Sequence, residues 1–458
     1  MPCGNRWAET SAHMPNRVRA GHAGEHRVIH RYDLIVVGAG PGGLAAAATA
    51  AEAGMRVCLV DDNFAPGGQT WRSSVAAKAL KAEEKNWLER IRNDRIEIRT
   101  GWRVVSAHPE CGPGNHGLRI EQSGRGVDIE CGALIVATGA REMFVPFPGW
   151  TLPGVYGAGG LQAFAKSGLD VAGKRIVVAG TGPLLLAVAA GLHTAGARIV
   201  SIVEQVPASK LAVFCIGLAR GHINKLIEGA GYVLRTAGTR HWTGAWVTKA
   251  SGGAHLETVA IQSGTRSIEV EADMLAIGYH LVPNIELAQL LQCRVAGGYV
   301  DVDQLQQTSI DRVYCVGEAA GIGGVDKALI EGRIAALSAS GQNEQAATLF
   351  EARDRHARFA RRMAAAFKLR NELRALPNEQ TVVCRCEDVR YGAVASCNSW
   401  REAKLHTRCG MGPCQGRLCG PATEFMFDWK LPLPRPPLFP VEASTLSGVG
   451  SSVDDAFL

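Results

Sequence analysis

Residues 31–62 read RYDLIVVGAGPGGLAAAATAAEAGMRVCLVDD. Leu34 to Val37 is a short apolar run of the length that a buried parallel strand needs. Gly38, Gly40 and Gly43 follow at GxGxxG spacing: one glycine for a tight turn, one for backbone approach to a pyrophosphate, one for close helix–strand packing. Leu44 to Ala53 reads as an alanine-rich helix whose N-terminal amides would face phosphates, and Gly54 ends it. Arg56 to Val60 forms the next strand, and Asp61 stands where an acid accepts hydrogen bonds from ribose hydroxyls. The stretch therefore predicts a strand–turn–helix–strand nucleotide site.

The rest of the chain agrees with an α/β protein. Its 458 residues suffice for two or three domains, and hydrophobic residues make up 47%. A net charge of +6 is small for this length and argues for neither a nucleic-acid partner nor an anionic membrane surface. No apolar run approaches the ~20 residues of a membrane span. The polar first 30 residues lack the apolar core of a secretory signal, so a disordered extension over 1–31 and a cytoplasmic location are expected. Of thirteen cysteines, Cys58, Cys131 and Cys315 fall in apparent strands and read as buried thiols. Six others crowd between Cys384 and Cys419, a distribution unlike a disulfide framework and suited to a reducing compartment.

Along the chain, Gly67, Gly68 and Gln69 form a loop able to approach a flat ring, or a plain turn. Residues 77–93 read as a helix, Ile96 to Thr100 as a strand and 103–131 as a β-meander with turns at 112–115 and 123–126. ALIVATGA (133–140) is another buried strand running into a glycine turn, and PFPGWTLPGV (146–155) is a proline-punctuated crossover. A second nucleotide-type unit begins at Lys174, with Gly180 and Gly182 in its turn, Pro183 opening its helix and Glu204 closing its second strand. Leu185 occupies the third glycine position. NAD, another adenine nucleotide such as ATP, and an empty relic of the fold all remain open, with NADP disfavoured because no arginine follows Glu204. Residues 231–279 look like a second meander. Further on, a strand delivers Gly317 and Glu318 to a glycine-rich turn and helix; Glu318 could hold flavin ribityl hydroxyls or act as a cap-region acid.

Taken in order, GAGPGG, Asp61, GGQ, ATGA and the late Gly317-Glu318 turn resemble the two-dinucleotide-binding-domain flavoproteins, over about residues 32–340. The resemblance implies a three-layer, Rossmann-like FAD/NAD(P)-binding fold, with FAD held by Gly38, Gly40, Pro41, Gly42, Gly43, Asp61, Gly68, Gln69, Thr138, Gly139, Gly317 and Glu318. The family usually has GD where this chain has Gly317-Glu318. Disulfide reductases of that superfamily carry a CxxC beside the flavin, and none occurs in this chain.

Residues 350–375 carry apolar positions at helical spacing and eight Arg or Lys, as expected of a solvated amphipathic helix or of a docking face for an acidic partner. The cysteine-rich stretch opens with Cys384 and Cys386 and closes with TRCGMGPCQGRLCG (407–420). A CxC pair plus two later cysteines can present four thiolates to zinc or to an iron–sulfur cluster. Cys409, Cys414 and Cys419 are equally spaced, so either neighbouring pair could complete the set. Cys397 lies outside the pattern and reads as packing. The stretch resembles the bacterioferritin-associated-ferredoxin (BFD-like) [2Fe-2S] domain. That resemblance implies Cys384, Cys386, Cys414 and Cys419 as ligands, with Cys409 as the alternative.

PFPGWTLPGVYGAGGLQ, GTGPLLLAVA and the cysteine stretch together resemble the α subunits of heteromeric amine-oxidising flavoenzymes. These include opine oxidase and D-hydroxyproline dehydrogenase, with hydrogen cyanide synthase a related case. What the resemblance implies is an electron-transfer subunit beside a substrate-oxidising β subunit with its own FAD, a small γ subunit, and an FMN at a subunit interface. No residue announces itself as a catalytic base. The expected organisation is a FAD-binding domain over 32–149 and 281–345, a second nucleotide-binding domain over 150–280 and a helical linker over 346–378. A [2Fe-2S] domain over 379–430 and a Pro-rich extended tail over 431–458 would complete it, the tail free to lie along another subunit.

Overall fold

The computed structural model describes residues 30–71, 81–108, 114–219 and 221–447. The first unit is built on β1 (His30–Val37), α1 (Pro41–Glu52), β2 (Val57–Asp61), α2 (Ala82–Arg90) and β3 (Ile96–Thr100). It continues with β4 (Arg103–His108), β5 (His116–Gln122) and β6 (Arg125–Val136). β1 pairs in parallel with β2 and with β6, in register Leu34 to Val57 and Leu34 to Ala133. The twelve residues of β6 serve three neighbours, because its first half also pairs antiparallel with β5 and its last three residues pair with a late strand. Alternate side chains of β1 enter opposite cores: Leu34 and Val36 pack against α1, while Ile35 and Val37 face the other layer.

His30 and Arg31 belong to β1, opposite Ile129 and Glu130, so the first strand begins inside the expected extension, two residues before its end. The remainder of that extension, part of the 77–93 helix and part of the 112–115 turn lie outside the described residues.

The chain leaves the first unit on β7 (Ala140–Met143) and returns on β16 (His280–Pro283), and these two strands pair antiparallel as a hinge. Between them lie β8 (Val155–Gly157), α3 (Ala158–Lys166), β9 (Arg175–Gly180), α4 (Leu184–Thr194) and β10 (Arg198–Glu204). Next come α5 (Ala208–Ala219), α6 (Ile223–Arg235) and β11 (Arg240–Thr243). β12 (Ala245–Ser251), β13 (Thr258–Ser263), β14 (Arg266–Glu271) and β15 (Met274–Gly278) complete the unit. Strand order β11-β10-β9-β15-β8 makes a second parallel sheet, covered by the β12-β13-β14 meander. The expected meander over 231–279 is therefore only partly a meander. Residues 231–235 finish α6, whose apolar residues recur at helical spacing, and β11 and β15 are parallel members of the main sheet.

After β16, α7 (Glu286–Leu290) and the hairpin β17 (Val295–Ala296) and β18 (Tyr299–Val300) precede β19 (Val313–Cys315), which completes the first sheet beside β6. α8 (Val325–Ala339) then crosses α1 closely: a Cβ on Gly332 would stand 2.1 Å from the Gly42 carbonyl oxygen. α9 (Asn343–Ala347) and α10 (Phe350–Ala366) lead to the cysteine module. That module contains β20 (Val382–Cys384), β21 (Val389–Arg390), α11 (Tyr391–Ala395), α12 (Trp400–Thr407) and α13 (Cys419–Phe427), and has its own small core around Val383, Val394, Trp400 and Ala422.

The proline-rich tail does not project outward. Leu438 is buried in the core of the first unit and its N–H donates to the Val105 carbonyl at 2.7 Å. Extended chain then gives way to α14 (Ala443–Ser447), where Thr445 packs on the β5–β6 turn. The apolar residues among the prolines explain this: Leu438 and Phe439 gain more by covering the first sheet than by standing in water.

Candidate functional site

In the first sheet, β1 is the switch point: its connection runs to β2 on one side, and β6 and β19 lie on the other. Ligands of open parallel sheets bind outside the carboxyl ends at such a point. The turn after β1 needs its glycines for stated reasons. Gly38 has φ +107, and a Cβ there would meet the Ala137 carbonyl oxygen at 2.3 Å; a Cβ on Gly43 would meet the Gly38 oxygen at 1.7 Å. A Cβ on Gly42 would press the Ala328 carbonyl of α8 at 3.2 Å. Gly40, by contrast, faces open space at the N-terminus of α1, where Pro41 opens the helix and no side chain caps it. An anionic pyrophosphate fits this uncapped amide end. Gly68, at φ +57, packs directly onto Gly40, while Gln69 is exposed.

Asp61 ends β2 as the sequence requires and is nearly buried. Its Oδ2 accepts from the Ala39 N–H at 2.5 Å, and Oδ1 accepts from the Asn63 N–H and Nδ2 at 2.7 and 2.6 Å. The carboxylate thus ties the glycine turn to the following loop. Thr138 does not offer its hydroxyl to the space above the sheet. It donates to the Asn284 carbonyl at 2.5 Å, and Asn284 returns a 2.9 Å bond to the Thr138 carbonyl and another of 2.9 Å from its N–H to Gly139. Sequence reasoning misses Asn284; its only signal is its place right after the strand that re-enters the first unit.

Gly317, at φ +73, starts a 3-10 turn after β19. The Glu318 carboxylate accepts from the Gly323 and Gly324 N–H groups at 3.1 and 3.0 Å, so it braces the loop in front of α8. Burial raises its pKa, against those two bonds and the nearby Lys327 charge. Behind it, Lys327 Nζ and Glu331 Oε1 form a buried ion pair at 2.6 Å, and Glu331 Oε2 accepts from the Gly317 N–H at 2.9 Å.

In the second unit, Gly180 packs against the Gly278 carbonyl, and Gly182 has open space around it. Glu204 accepts from the Thr181 hydroxyl (2.8 Å), the Gly182 N–H (2.7 Å) and the Val206 N–H (2.9 Å). Burial raises its pKa despite these bonds. Pro183 precedes α4, and Leu185 is buried beneath it, 3.7 Å from where a Gly278 Cβ would stand. Leu185 fills the space into which a third glycine would admit the helix.

The module gathers five of its six cysteines. The sulfurs of Cys384, Cys409 and Cys419 lie within 4.8 Å of one another, all buried. Cys386 is exposed and interacts with half-buried Cys414. The Gly410 N–H donates to Cys384 Sγ at 3.4 Å, and a Cβ on Gly412 would sit 2.3 Å from the Cys386 Cβ. Thiol hydrogen bonds from Cys409 and then Cys419 hold Cys384 far below its ordinary pKa. A donor set of clustered thiols with amides aimed at sulfur suits a thiophilic metal or an iron–sulfur cluster. Cys409 is thus as much part of the cluster as Cys419.

The three units meet at Arg141 of β7. Its Nη1 donates to Asn284 Oδ1 at 2.6 Å and pairs with Glu286 at 2.9 Å, while its Nε donates to the Arg417 carbonyl at 3.0 Å. Arg417 lies between Cys414 and Cys419; its Nη2 donates to the Leu438 carbonyl at 2.6 Å and its guanidinium covers Phe439. The cysteine cluster is therefore anchored at the hinge beside Thr138 and Gly139.

This fold and first site define an FAD-dependent oxidoreductase. Residues 32–366 match the pyridine nucleotide-disulphide oxidoreductase family, and the chain belongs to it. It is 33% identical to the HcnB component of hydrogen cyanide synthase from Pseudomonas aeruginosa, with 84% of this chain and 90% of the relative covered. Identity to the first of the opine oxidase subunits (OoxA-type) of Rhizobium meliloti is also 33%, over 85% and 90% of the two chains. The fold is that of L-proline dehydrogenase from P. horikoshii, at TM-score 0.62 and 19% identity over 92% of this chain and 81% of that one. No described helix is long and apolar enough to cross a membrane.

Proposed function

We propose that this chain is the electron-transferring α subunit of a cytoplasmic, heteromeric flavin-dependent dehydrogenase or oxidase whose substrate is an amino acid or an opine-type secondary amine. FAD would be held at the first unit by the Gly38–Gly43 turn, Asp61, Gly68, Gln69, Gly139, Gly317 and Glu318. Thr138 would act through Asn284. A [2Fe-2S] cluster would be held by Cys384, Cys386, Cys414 and Cys419, with Cys409 the alternative for the fourth place. Bound flavin would supply exchange between two-electron and one-electron chemistry, and the cluster one-electron conduction. Substrate oxidation would fall to a β subunit carrying its own FAD. An interface FMN and a small γ subunit belong to the same proposal, and NAD or ATP is proposed for the second unit.

The observation that carries this reading is Arg141. One side chain bonds the hinge at the first nucleotide turn and the backbone between two cluster cysteines, as two redox groups in one path require. The test is a visible spectrum of anaerobically purified protein with flavin, iron and acid-labile sulfide quantified. Flavin with two iron and two sulfide per chain, together with slow or absent amine oxidation by the isolated chain, supports the proposal. Zinc without iron, or full-rate oxidation by the chain alone, overturns it.

A second reading, a self-sufficient NADH-dependent reductase, draws on Glu204, whose carboxylate sits at the open Gly182 turn. Rapid anaerobic bleaching of the flavin by NADH would favour it, and no bleaching would dispose of it.

A further inference from the structure

The cysteine left outside the cluster belongs to a second group of metal-binding side chains. Cys397 follows α11, and Glu402 and His406 stand one turn apart on the same face of α12. One donor atom from each, the thiol sulfur, a carboxylate oxygen and an imidazole nitrogen, lies within 4.8 Å of the other two. Cys397 and Glu402 are half-buried and His406 is exposed. The face of α12 bearing Trp400 and Ala403 is buried in the module core, so the three donors stand on its outer side.

The surroundings hold these donors in place. The Ser399 hydroxyl caps α12 by accepting from the Glu402 N–H at 3.2 Å. Glu402 Oε2 accepts from the Asn398 N–H at 2.9 Å and from its Nδ2 at 3.3 Å, which fixes the carboxylate in place. Such outer bonds to a ligating carboxylate are the usual means of orienting it. The Cys397 thiol donates only weakly, to the Ala393 carbonyl at 3.5 Å. Glu402 and His406 are near but form no direct ion pair among the described residues, a gap that an ion would fill.

We propose that Cys397, Glu402 and His406 form a Zn2+ site, separate from the five-thiol cluster, with water as the fourth ligand. One thiolate, one imidazole and one carboxylate form a borderline donor set that suits tetrahedral zinc. Bonds of about 2.0–2.3 Å place donors roughly 3.5 Å apart, so the triad closes by about an ångström on binding. The exposed His406 side chain has the freedom to make that movement. The bound ion would tie the 396–399 loop to α12 and stiffen the outer face of the module.

The test uses the full chain, washed with chelator, titrated with ZnCl2, desalted and analysed for zinc, with the Zn K-edge spectrum recorded. The expected result is one Zn2+ per chain with a single sulfur and otherwise nitrogen or oxygen neighbours. His406→Gln, at an exposed position that does not endanger folding, should weaken binding at least about 100-fold in competition with a chromophoric chelator, and Asn398→Ala about 10-fold. Cys397→Ser should remove the sulfur neighbour. Absence of bound zinc, a spectrum dominated by four sulfurs, or unchanged affinity in His406→Gln would overturn the proposal. None of these readouts depends on flavin, iron content or amine oxidation, so the site and the electron-transfer reading fail separately.

Discussion

Arg141 and Glu286 form a 2.9 Å ion pair at the point where the chain leaves one nucleotide unit, re-enters it and is met by the cysteine module. Both side chains are mostly sheltered, so the pair keeps more of its Coulomb energy than a surface bridge would. Arg141→Ala should cost about 2–3 kcal/mol of docking free energy, since three charge-assisted contacts go and Glu286 loses a partner. The expected sign is faster proteolysis near residues 376–382 with the first unit intact. Arg141→Lys should fall between, because one ammonium cannot reproduce the forked contacts.

Gly38→Ala puts a methyl 2.3 Å from a backbone oxygen at φ +107. Neither neighbour is a flexible side chain, so the turn must distort. Flavin should be lost on gel filtration, with at least about 3 kcal/mol of destabilisation in urea.

What is legible in the sequence follows from the range of each constraint. The Gly38–Gly43 turn, Asp61 and the first strands are dictated within some thirty residues, and hydrophobic periodicity with steric need suffices to place them. The role of Thr138 escapes such reasoning because its partner, Asn284, lies 146 positions away. Glu318 is open to two readings because the amides that engage it belong to a loop whose path only tertiary packing decides. Equal spacing leaves Cys409, Cys414 and Cys419 indistinguishable, and packing brings all three into the group rather than choosing a pair. Residues 231–235 mislead because a short apolar, glycine-containing run suits strand and helix alike.

Lys327→Met leaves Glu331 buried without its cation. It should destabilise the protein by about 3–5 kcal/mol, with most of the loss recovered in Lys327→Met/Glu331→Met. Urea midpoints of the single and double variants measure both.

Glu204 gives a pH dependence of definite sign. Burial raises its folded pKa above the ordinary 4.5. The folded state therefore holds a proton that the unfolded chain releases, and this contribution is complete below that ordinary value and lost as pH rises through the folded pKa. Stability should fall with pH across that window, and Glu204→Gln should flatten the slope. Urea midpoints recorded at successive pH values across it would reveal the difference.

Among the cysteines, Cys386→Ala, Cys414→Ala and Cys419→Ser should each abolish the iron and sulfide content, while Cys409→Ser should retain it at about 1–2 kcal/mol cost for a buried hydroxyl. Retention in Cys419→Ser with loss in Cys409→Ser would exchange the two assignments.

Leu438 joins two bodies with its two backbone groups: its N–H goes to Val105 of the first unit and its carbonyl accepts from Arg417 of the cysteine module. A truncation at residue 430, drawn where the last globular element ends, would therefore remove a rivet rather than a loose end. The module is not a cassette to be excised or exchanged by splicing at its visible boundaries. Any transplant that aims to keep its seating must carry the segment through Phe439 and supply a β4 edge to receive it.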